Sequence, residues 1–549
     1  MKKHIQPIMK TSLRLVTTVL KLVLLNISVI MAAAQARPKE YTSVVNAADY
    51  ASGFQQVQAV QAAVNRGGTV LLRGTFEFGH DLGGFLVADE NAVFSSWYND
   101  FVNLDALKKG NSTVYITKDV TIVGETDPQG NLLTTIVGGA PPFWAGWDGY
   151  IMGNEFGTDP IWYPSVLEDP INAPDWDGAS VGLDYTPNVY GLRWMRAYPN
   201  INVILKNLHI DQPRFGGIAI GAGKNVLIQG IKVTHVIPAL YDAWYIRADY
   251  FFNSPPSYRG LGITAAGGLQ APFFNVQNFI MWGDLVSCAQ PTGDLLLLDN
   301  RIETIGYGGF NVDWYGESMG IDSFFANANI IFSRNTVSDV KAFSSFGICV
   351  TDNFRGSSLI ADNVVSNVHD TGIFDQTMYN PFPSLITKNK VMNCGNAGIT
   401  VTGLWWCDKG SVLEGNTLTQ LDTSTSGSRN GIVLMSTKGS YVAHNTCIGN
   451  GWDAMLIYDS SDNAFVGNNI DKWEGESQVS ILSDYGLSNN NTLVGSLGSA
   501  YLGGCLSCSG NVITGLTPVA GQIGTVVSRV QHQANELSDL FRNFRGIYQ

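Results

Sequence analysis

The sequence predicts an all-β fold, a parallel β-helix in which successive turns of the chain stack on one another. Three observations lead to this class. A short unit recurs along the chain, as in "SLITKNKVMNCGNAGITV" (384–401). Apolar and polar residues alternate within each unit, which is typical of strands rather than helices. The loops between units vary in length while the units keep their pattern, as expected where each unit covers its neighbour.

A polar residue, usually Asn, opens the second strand of each unit and sets the repeat. These residues are Asn207, Gly230, Asn300, Asn335, Asn363, Asn389, Asn416, Asn445 and Asn468. From Asn335 onward the gaps are 28, 26, 27, 29 and 23 residues. Strands stacked about 4.8 Å apart bring such side chains into one file, where amides can hydrogen-bond from turn to turn and satisfy backbone groups. Asn and Gly also suit the left-handed backbone of a sharp corner.

The first 36 residues predict a secretory signal peptide. They contain five cations and no acid, and an apolar run ends in the small-residue pattern Ala34-Gln35-Ala36. The alternative is an uncleaved membrane anchor, but Lys21 interrupts the apolar run and leaves it short for a span. No later segment is apolar enough to cross a membrane. We therefore expect a secreted protein, or a periplasmic or cell-surface one.

The net charge of the chain limits the classes of molecule that it is expected to bind. Without the five cations of the signal peptide, 28 Lys and Arg remain against 46 Asp and Glu, a net charge near −18. An acidic surface repels nucleic acid and anionic lipid, so no nucleic-acid partner is expected. It also disfavours acidic polysaccharides, unless a local basic cluster or bridging Ca²⁺ intervenes. Calcium is thus the one cofactor for which the sequence leaves room, and no metal ligands are assigned.

The N-terminal segment "SGFQQVQAVQAAVNRGGTVLLRGTFEF" (52–78) resembles the start of pectin-lyase-like right-handed β-helices. In that superfamily a short amphipathic helix caps the open end, and Phe54, Val57, Val60 and Val64 would form its apolar stripe here. The segment "VYITKDVTIVGE" (114–125) resembles the next coil. The resemblance implies a right-handed solenoid. It implies no single activity, because this scaffold carries lyases, hydrolases, epimerases, phage spikes and adhesins.

The predicted organisation follows from where the repeat breaks. It is a signal peptide at 1–36, an N-terminal cap and first coils at 37–140, an aromatic-rich insertion at 141–200, the β-helix at 201–520 with a second insertion at 237–292, and a C-terminal capping helix at 521–549. The aromatic residues of the insertions either pack on the solenoid wall or line a glycan-binding groove. The C-terminal helix either caps the last coil or joins two copies, so the oligomeric state stays open.

Strands that follow a Gly corner define the candidate active face. We align "GFNVDW" (309–314), "GICVTD" (347–352), "GIFDQT" (372–377), "GITVTG" (398–403) and "GIVLMS" (431–436). The second and fourth positions, such as Ile348 and Val350, are expected to point inward, and the positions between them outward. Asp375 falls on an inward position, so either the register shifts there or its carboxyl lies near the core.

Acidic residues of consecutive coils form the predicted catalytic set. Its members are Asp313, Glu317, Asp352, His369 and Asp375, with Asp370 beside them. Glycoside hydrolysis needs two carboxylates, one protonated and one ionised, and adjacent coils can supply such a pair. The alternative for each acid is a turn residue, and for His369 a corner histidine. Predicted substrate-binding residues are Trp314, Tyr379, Trp405 and Arg355.

A polysaccharide lyase would need a different set: a cation or calcium to neutralise a uronate, and a base. The cations Arg301, Arg334, Lys341, Arg355, Lys388 and Arg429 are scattered among acids. The arginine motif of pectate lyases, the Gly-His-Gly of polygalacturonases and the Asp-Pro-His-Asp of alginate epimerases have no match. The sequence therefore favours a β-helix that binds and cleaves a polysaccharide by hydrolysis, more readily a neutral than an anionic one. A non-catalytic carbohydrate-binding or adhesion β-helix is the first alternative, and a lyase the second.

Overall fold

A computed structural model describes most of the chain from residue 41 onward. The described residues are 41–79, 112–139, 141–148, 196–197, 200–214, 216–240, 258–266, 291–306, 316–324, 326–342, 344–351, 357–377, 383–403, 410–421, 427–474, 477–483, 488–494, 499–501, 509–514 and 517–519. The chain divides into two units, Met1–Thr42 and Ser43–Gln549, and the solenoid lies in the second. The predicted signal peptide and C-terminal helix lie outside the described residues. Among those residues, no helix is both long and apolar enough to cross a membrane.

The fold is a right-handed parallel β-helix, as predicted, with three sheets that run along the stack. Sheet A contains β1 (Ser43–Asn46), β2 (Gly68–Arg73), β5 (Val120–Gly124), β10 (Asn202–Lys206), β13 (Gly223–Gln229), β17 (Pro291–Leu298), β20 (Asn327–Ser333), β23 (Ser358–Ala361), β26 (Ser384–Thr387), β29 (Val412–Glu414), β32 (Tyr441–Ala443), β35 (Ala464–Val466), β38 (Thr492–Val494) and β40 (Val512–Thr514). Sheet B contains β3 (Thr75–Gly79), β6 (Thr135–Gly138), β11 (His209–Asp211), β14 (Lys232–Val236), β18 (Arg301–Ile305), β21 (Thr336–Val340), β24 (Val364–Val368), β27 (Lys390–Cys394), β30 (Thr417–Gln420), β33 (Thr446–Gly449) and β36 (Asn469–Trp473).

Sheet C completes each coil. It contains β4 (Val114–Ile116), β7 (Phe143–Ala145), β12 (Gly216–Ile220), β16 (Tyr258–Ala266), β19 (Gly316–Phe324), β22 (Ser344–Thr351), β25 (Thr371–Thr377), β28 (Ala397–Gly403), β31 (Asn430–Met435), β34 (Asp453–Tyr458), β37 (Ser477–Leu482), β39 (Ser499–Tyr501) and β41 (Thr517–Val519). Two short antiparallel pairings accompany it, β15 (Ala239–Leu240) with β16, and β8 (Trp147–Asp148) with β9 (Arg196–Ala197). Strands β7 and β16 fall inside the two ranges predicted as insertions, so those ranges also supply coils.

The helix α1 (Phe54–Arg66) confirms the predicted N-terminal cap. Its side chains Val57, Val60 and Val64 are buried against the first coils, as the pattern indicates. Phe54, predicted in the same stripe, is instead 49% exposed. It is the first residue of the helix and lies at the edge of the apolar stripe, which leaves about half of its side chain in solvent.

A ladder of buried Asn side chains runs along the corner between sheets A and B. Its members are Asn300, Asn335, Asn363, Asn389, Asn416, Asn445 and Asn468. At Asn389, Nδ2 donates to Oδ1 of Asn416 and to the carbonyl of Ile360, both at 2.9 Å. Its Oδ1 accepts from the backbone N–H and Nδ2 of Asn363, both at 3.0 Å. Each rung therefore satisfies backbone groups of the neighbouring coil that water cannot reach.

The residue before each ladder Asn, rather than the Asn itself, takes the left-handed backbone. Lys388, for example, has a φ of 56°. In two early coils this position is held by Asn207 and Gly230, with φ of 57° and 64°. The ladder position of the second of these coils is Ile231, whose N–H donates to Oδ1 of Asn300. The prediction that placed Asn207 and Gly230 in the ladder is wrong by one residue, because a left-handed corner and a ladder rung both favour Asn.

A file of glycines runs along the sheet C strands, at positions where there is no space for a side chain. It includes Gly320, Gly347, Gly372, Gly398 and Gly431, none of which has a left-handed φ. A Cβ added to Gly372 would lie 2.4 Å from Cγ1 of Val391 in sheet B and 2.7 Å from the carbonyl of Gly398. Such distances are far inside van der Waals contact. The missing side chains thus let sheet C approach sheet B closely.

This glycine file corrects one element of the predicted alignment. The strand that stacks on "GICVTD" is β19, whose glycine is Gly320, and Met319 and Ile321 pair with Phe346 and Ile348. The segment 309–314, which was aligned with these strands, lies outside the described residues and precedes β19. It begins with Gly309, and a glycine also begins each of the other aligned segments.

The ladder yields a prediction about two adjacent residues. Replacing Asn389 by Ala should lower the free energy of unfolding by about 2–5 kcal/mol, because partners in two coils lose hydrogen bonds in a buried site. Replacing the exposed Lys388 by Gly should raise it by about 1 kcal/mol, because Gly adopts a positive φ without strain. Urea unfolding of both variants measures this. Equal losses at the two positions would contradict the assignment of ladder and corner.

Candidate functional site

The outer face of sheet C presents files of side chains from successive coils. Alternation places Ile348 and Val350 in the core and Thr351 outside, as predicted. Thr351, Gln376 and Thr402 are register partners on β22, β25 and β28, so they form one outward file with rungs about 4.8 Å apart. The predicted outward positions of this face are therefore confirmed for these strands.

This face is shielded from solvent, and its character changes along the stack. Gln376 is 1% exposed, and Thr351 and Thr402 are fully buried. Toward the C-terminal coils the same face becomes apolar and forms a separate cluster, distinct from the solenoid core. Its members are Ala397, Val433, Leu456 and Leu482, with Tyr458 packed against them. A polar half thus continues directly into an apolar half.

Two side chains in the polar half have polar atoms that remain unpaired. Neither Nε2 nor Oε1 of Gln376 has a hydrogen-bond partner among the described residues, and Oγ1 of Thr402 has none either. Buried polar groups in folded proteins are nearly always hydrogen-bonded, and leaving one unpaired costs about 1–3 kcal/mol. The two neighbouring groups therefore mark a place where a polar partner is needed.

A carboxylate that sequence reasoning missed lies in the adjacent outward file. Asp322 is 1% exposed on β19, and its Oδ2 accepts a hydrogen bond of 2.8 Å from Oγ1 of Thr264 on β16. Along the stack, Asp322 is followed by Cys349 and Phe374. Asp322 lies two coils and two residues from Gln376, a distance of about 12 Å. The signal that could have found it is the dipeptide Gly320-Ile321, which recurs as Gly-Ile on the neighbouring strands.

Asp375 of the predicted catalytic set points inward. Its register partners are the core residues Val350 and Val401, and it is fully buried. The register does not shift at this strand, so the carboxyl lies at the edge of the core, where it accepts a hydrogen bond of 3.2 Å from Oγ of Ser384 in sheet A. This position links sheet C to sheet A across a corner, and it turns the carboxyl away from the outer face.

His369 and Asp370 lie at the opposite end of β25. Thr371 and Asp375 are separated by about 13 Å of extended strand, and His369 lies beyond Thr371. Nδ1 of His369 is buried with no partner among the described residues. Asp370 accepts a hydrogen bond of 3.0 Å from Oγ1 of Thr371. The structure therefore does not bring His369 and Asp375 into one patch.

The other predicted site residues cannot be placed in the same way. The backbone of Glu317 belongs to β19 and pairs with Ser344, and its side chain is not described. The residues outside the described part of the chain are Asp313, Trp314, Asp352, Arg355, Tyr379 and Trp405. Their roles stay predictions.

A second group of ionisable side chains lies on the outer face of sheet B. Oγ1 of Thr234 donates to Oδ1 of Asp211 at 2.6 Å, so Nε2 of His209, 2.8 Å from the same hydroxyl, must be the donor. Nδ1 of His235 lies 2.7 Å from that carboxylate oxygen. Burial lowers the pKa of His209, and the charge of Lys232 lowers it further. Burial acts to raise the pKa of Asp211, but the hydrogen bonds from Thr234 and His235 outweigh it, so the pKa is lowered.

No metal centre is found within this set of side chains. Among the described residues, no group of three or more His, Cys, Asp or Glu side chains could hold a metal ion. The thiols of Cys394 and Cys447 lie in the core, and burial raises the pKa of each to about 12. They are therefore protonated and unreactive at neutral pH.

Comparison with known sequences supports the fold. Residues 354–513 match the family described as right-handed beta helix region, which is less than half of the chain. No curated protein matches the sequence. The resemblance to pectin-lyase-like right-handed β-helices is confirmed at the level of fold.

Several solved structures are distantly similar. The A-module of mannuronan C-5 epimerase AlgE4 from Azotobacter vinelandii is 11% identical, with a TM-score of 0.38 over 82% of this chain and 100% of that one. The tailspike of Escherichia coli bacteriophage HK620 is 11% identical, with a TM-score of 0.37 over 84% of this chain and 68% of its own. PfbA, a surface adhesin of Streptococcus pneumoniae, is 11% identical, with a TM-score of 0.34 over 87% and 93%.

The unpaired hydroxyl of Thr402 predicts an unusual response to substitution. Thr402→Val should leave the free energy of unfolding unchanged or raise it by up to about 1 kcal/mol, because no hydrogen bond is lost. Thr134→Val is the matched control. Its buried Oγ1 donates to the carbonyl of Leu72 at 2.6 Å and accepts from the N–H of Glu125 at 2.8 Å. Urea unfolding should show a loss of about 1–3 kcal/mol there. An equal loss at Thr402 would show that its hydroxyl has a partner.

The group on sheet B predicts a loss of stability in mild acid. The folded chain disfavours protonated His209, so the unfolded chain binds more protons once the pH falls below the unperturbed value of 6.5. Stability should therefore decrease as the pH falls through and below that value. His209→Gln should flatten the dependence of the thermal midpoint between pH 7.5 and 5.5, whereas His444→Gln, at an exposed corner, should not. An unchanged slope in the His209 variant would contradict this assignment.

Proposed function

We propose that this chain binds an extracellular polysaccharide along the outer face of sheet C. The observation that carries the proposal is the pair Gln376 and Thr402, whose side-chain polar atoms are buried and unpaired on that face. Sugar hydroxyls both donate and accept hydrogen bonds, so one glycan segment can satisfy the amide and the hydroxyl together. The predicted signal peptide supports a secreted, periplasmic or cell-surface location.

The files of sheet C suit a chain-like ligand. Equivalent side chains repeat about every 4.8 Å along the stack, so a polymer laid along the axis meets a succession of polar groups from Asp322 to Thr402. Predicted substrate contacts from Trp314, Tyr379, Trp405 and Arg355 belong to this proposal.

Hydrolysis is a second candidate, favoured by the carboxylate of Asp322 on the same face. Hydrolysis needs two carboxyl groups held in different protonation states. Asp322 would be one of them, and Asp313, Asp352 or Glu317 the other. A lyase is less well supported, because the arginine motif of pectate lyases has no match in the sequence.

A panel of polysaccharides tests both candidates. The purified chain should retain at least one polymer in affinity electrophoresis, and hydrolysis should release new reducing ends, whereas a lyase would produce the ultraviolet absorbance of unsaturated uronates. Asp322→Asn should weaken binding about tenfold or more, if its carboxylate contacts the sugar, and abolish hydrolysis. Asp313→Asn and Asp352→Asn test the predicted partners.

Asp362→Asn serves as the control, because Asp362 is exposed at the corner between sheets A and B. It should behave as the parent chain. Failure to bind or cleave any polymer would refute the proposed function. Binding that is unaffected by Asp322→Asn would remove Asp322 from the site.

A further inference from the structure

We infer that Arg214 is the centre of a binding site for an oxyanion, that is, a carboxylate, sulfate or phosphate group that arrives from solvent. The residue lies at the corner between sheets B and C, just before β12, and apart from the residues proposed to contact a glycan. Three observations carry the inference. The guanidinium has buried donors without a partner, no charge compensates it, and its backbone is fixed by both neighbouring coils.

The guanidinium of Arg214 has donors that the protein does not satisfy. Nε and Nη1 are buried, and neither has a hydrogen-bond partner among the described residues. Arginine keeps its positive charge in proteins and only donates hydrogen bonds, so the missing partner must be an acceptor. A charged donor left buried and unpaired is more costly than a neutral one. The side chain therefore favours an acceptor that carries negative charge.

No carboxylate compensates this cation. Burial alone lowers the pKa of Arg214, and no neighbouring charge contributes to the shift. Asp211, three residues earlier in the chain, accepts hydrogen bonds from Thr234 and His235 instead. A buried charge without a counter-charge is strongly unfavourable in a folded protein. The counter-charge is therefore expected from a bound anion.

Arg334 shows the compensated arrangement in the same molecule. Its Nε and Nη2 donate to the two carboxylate oxygens of Asp299 at 2.6 and 2.9 Å. These hydrogen bonds raise the pKa of Arg334. A guanidinium binds carboxylate, sulfate and phosphate oxygens with the same planar set of donors. Arg214 presents this group without an acid beside it.

The backbone holds Arg214 at a fixed place along the stack. Its N–H donates to the carbonyl of Gly139 in the preceding coil at 2.8 Å, and its carbonyl accepts from the N–H of Gly216 at 2.8 Å. It also forms a parallel bridge with Ile237 in the next coil. The side chain is only half-buried, so a small ion can reach it from solvent. A group that is already held in place loses little freedom when a ligand binds.

The thermal midpoint of the full chain in added anions tests the site. Sulfate and phosphate stabilise folded proteins in general, and this effect does not depend on a specific site. A bound ion adds an increase that saturates, with a dissociation constant on the order of millimolar for one charge-assisted contact. Sulfate, phosphate and galacturonate should each show this saturable increase at constant ionic strength, and chloride and galactose should not.

Variants connect the saturable increase to Arg214. Arg214→Gln should abolish it, and the midpoint of this variant in chloride should equal or exceed that of the parent, because no partner is lost. Arg214→Lys keeps the charge without the planar donors and should weaken anion binding about tenfold. Lys224→Gln removes a charge from an exposed position of sheet A and should keep the full increase. Circular dichroism establishes that each variant folds, and Arg214→Lys keeps the test valid if Arg214→Gln does not.

A polymer experiment identifies the source of the anion. If retention of polygalacturonate falls in Arg214→Gln and sulfate competes with it, the anionic group belongs to a glycan. If retention is unchanged while the sulfate effect saturates, the group is a free ion, and both results support the site. A saturable effect with none of the three anions, or an equal effect in Arg214→Gln, would overturn the inference. Binding of uncharged polymers at Gln376 and Thr402 does not depend on these outcomes.

Discussion

The stack depends on hydrogen bonds that run along its axis at one corner. Each Asn of the ladder before Asn468 donates to a carbonyl in the preceding coil and to the amide oxygen of the next Asn, as Asn389 does to Ile360 and Asn416. These contacts bury polar groups that water cannot reach, so a coil displaced by one residue would leave several of them unpaired. The ladder therefore keeps successive coils in register wherever it is continuous.

The register of the coils at that corner determines which side chains become neighbours on the other faces. With the corner between sheets A and B fixed, the strands of sheet C also stack residue on residue, and the glycine file draws them against the valines of sheet B. Side chains about 25 residues apart, such as Thr351 and Gln376, then become neighbours. The proposed site consists of such neighbours. Its geometry belongs to the stack rather than to any single loop.

Particular residues show how far sequence reasoning reaches. The period of the Asn residues predicted the solenoid and the ladder from Asn300 onward, since stacking demands the same residue at each turn. It could not distinguish Asn207 at a left-handed corner from a rung one residue later, because Asn suits both. The spacing of the glycines predicted where the strands of sheet C begin, but it suggested that glycine is needed for a left-handed backbone. Gly372 is needed instead because Val391 lies too close for a side chain.

Less of the candidate site than of the fold could be predicted from the sequence. The alternation of side chains along β25 correctly predicted that Gln376 points outward and Asp375 inward, because adjacent residues of a strand point to opposite faces. Asp322 is absent from the predicted residues. The segment 309–314 also begins with a glycine, and it was aligned in place of the strand that contains Gly320. Whether a buried polar atom has a partner depends on every surrounding coil, so the unpaired amide of Gln376 could be found only in three dimensions.

A crystal structure of the chain with a bound oligosaccharide tests the central claim most directly. The account predicts sugar hydroxyl or amide groups within hydrogen-bond distance of Gln376 and Thr402, with the rest of the oligosaccharide running along sheet C. An oligosaccharide seated on sheet A or sheet B, with Gln376 and Thr402 untouched, would contradict it.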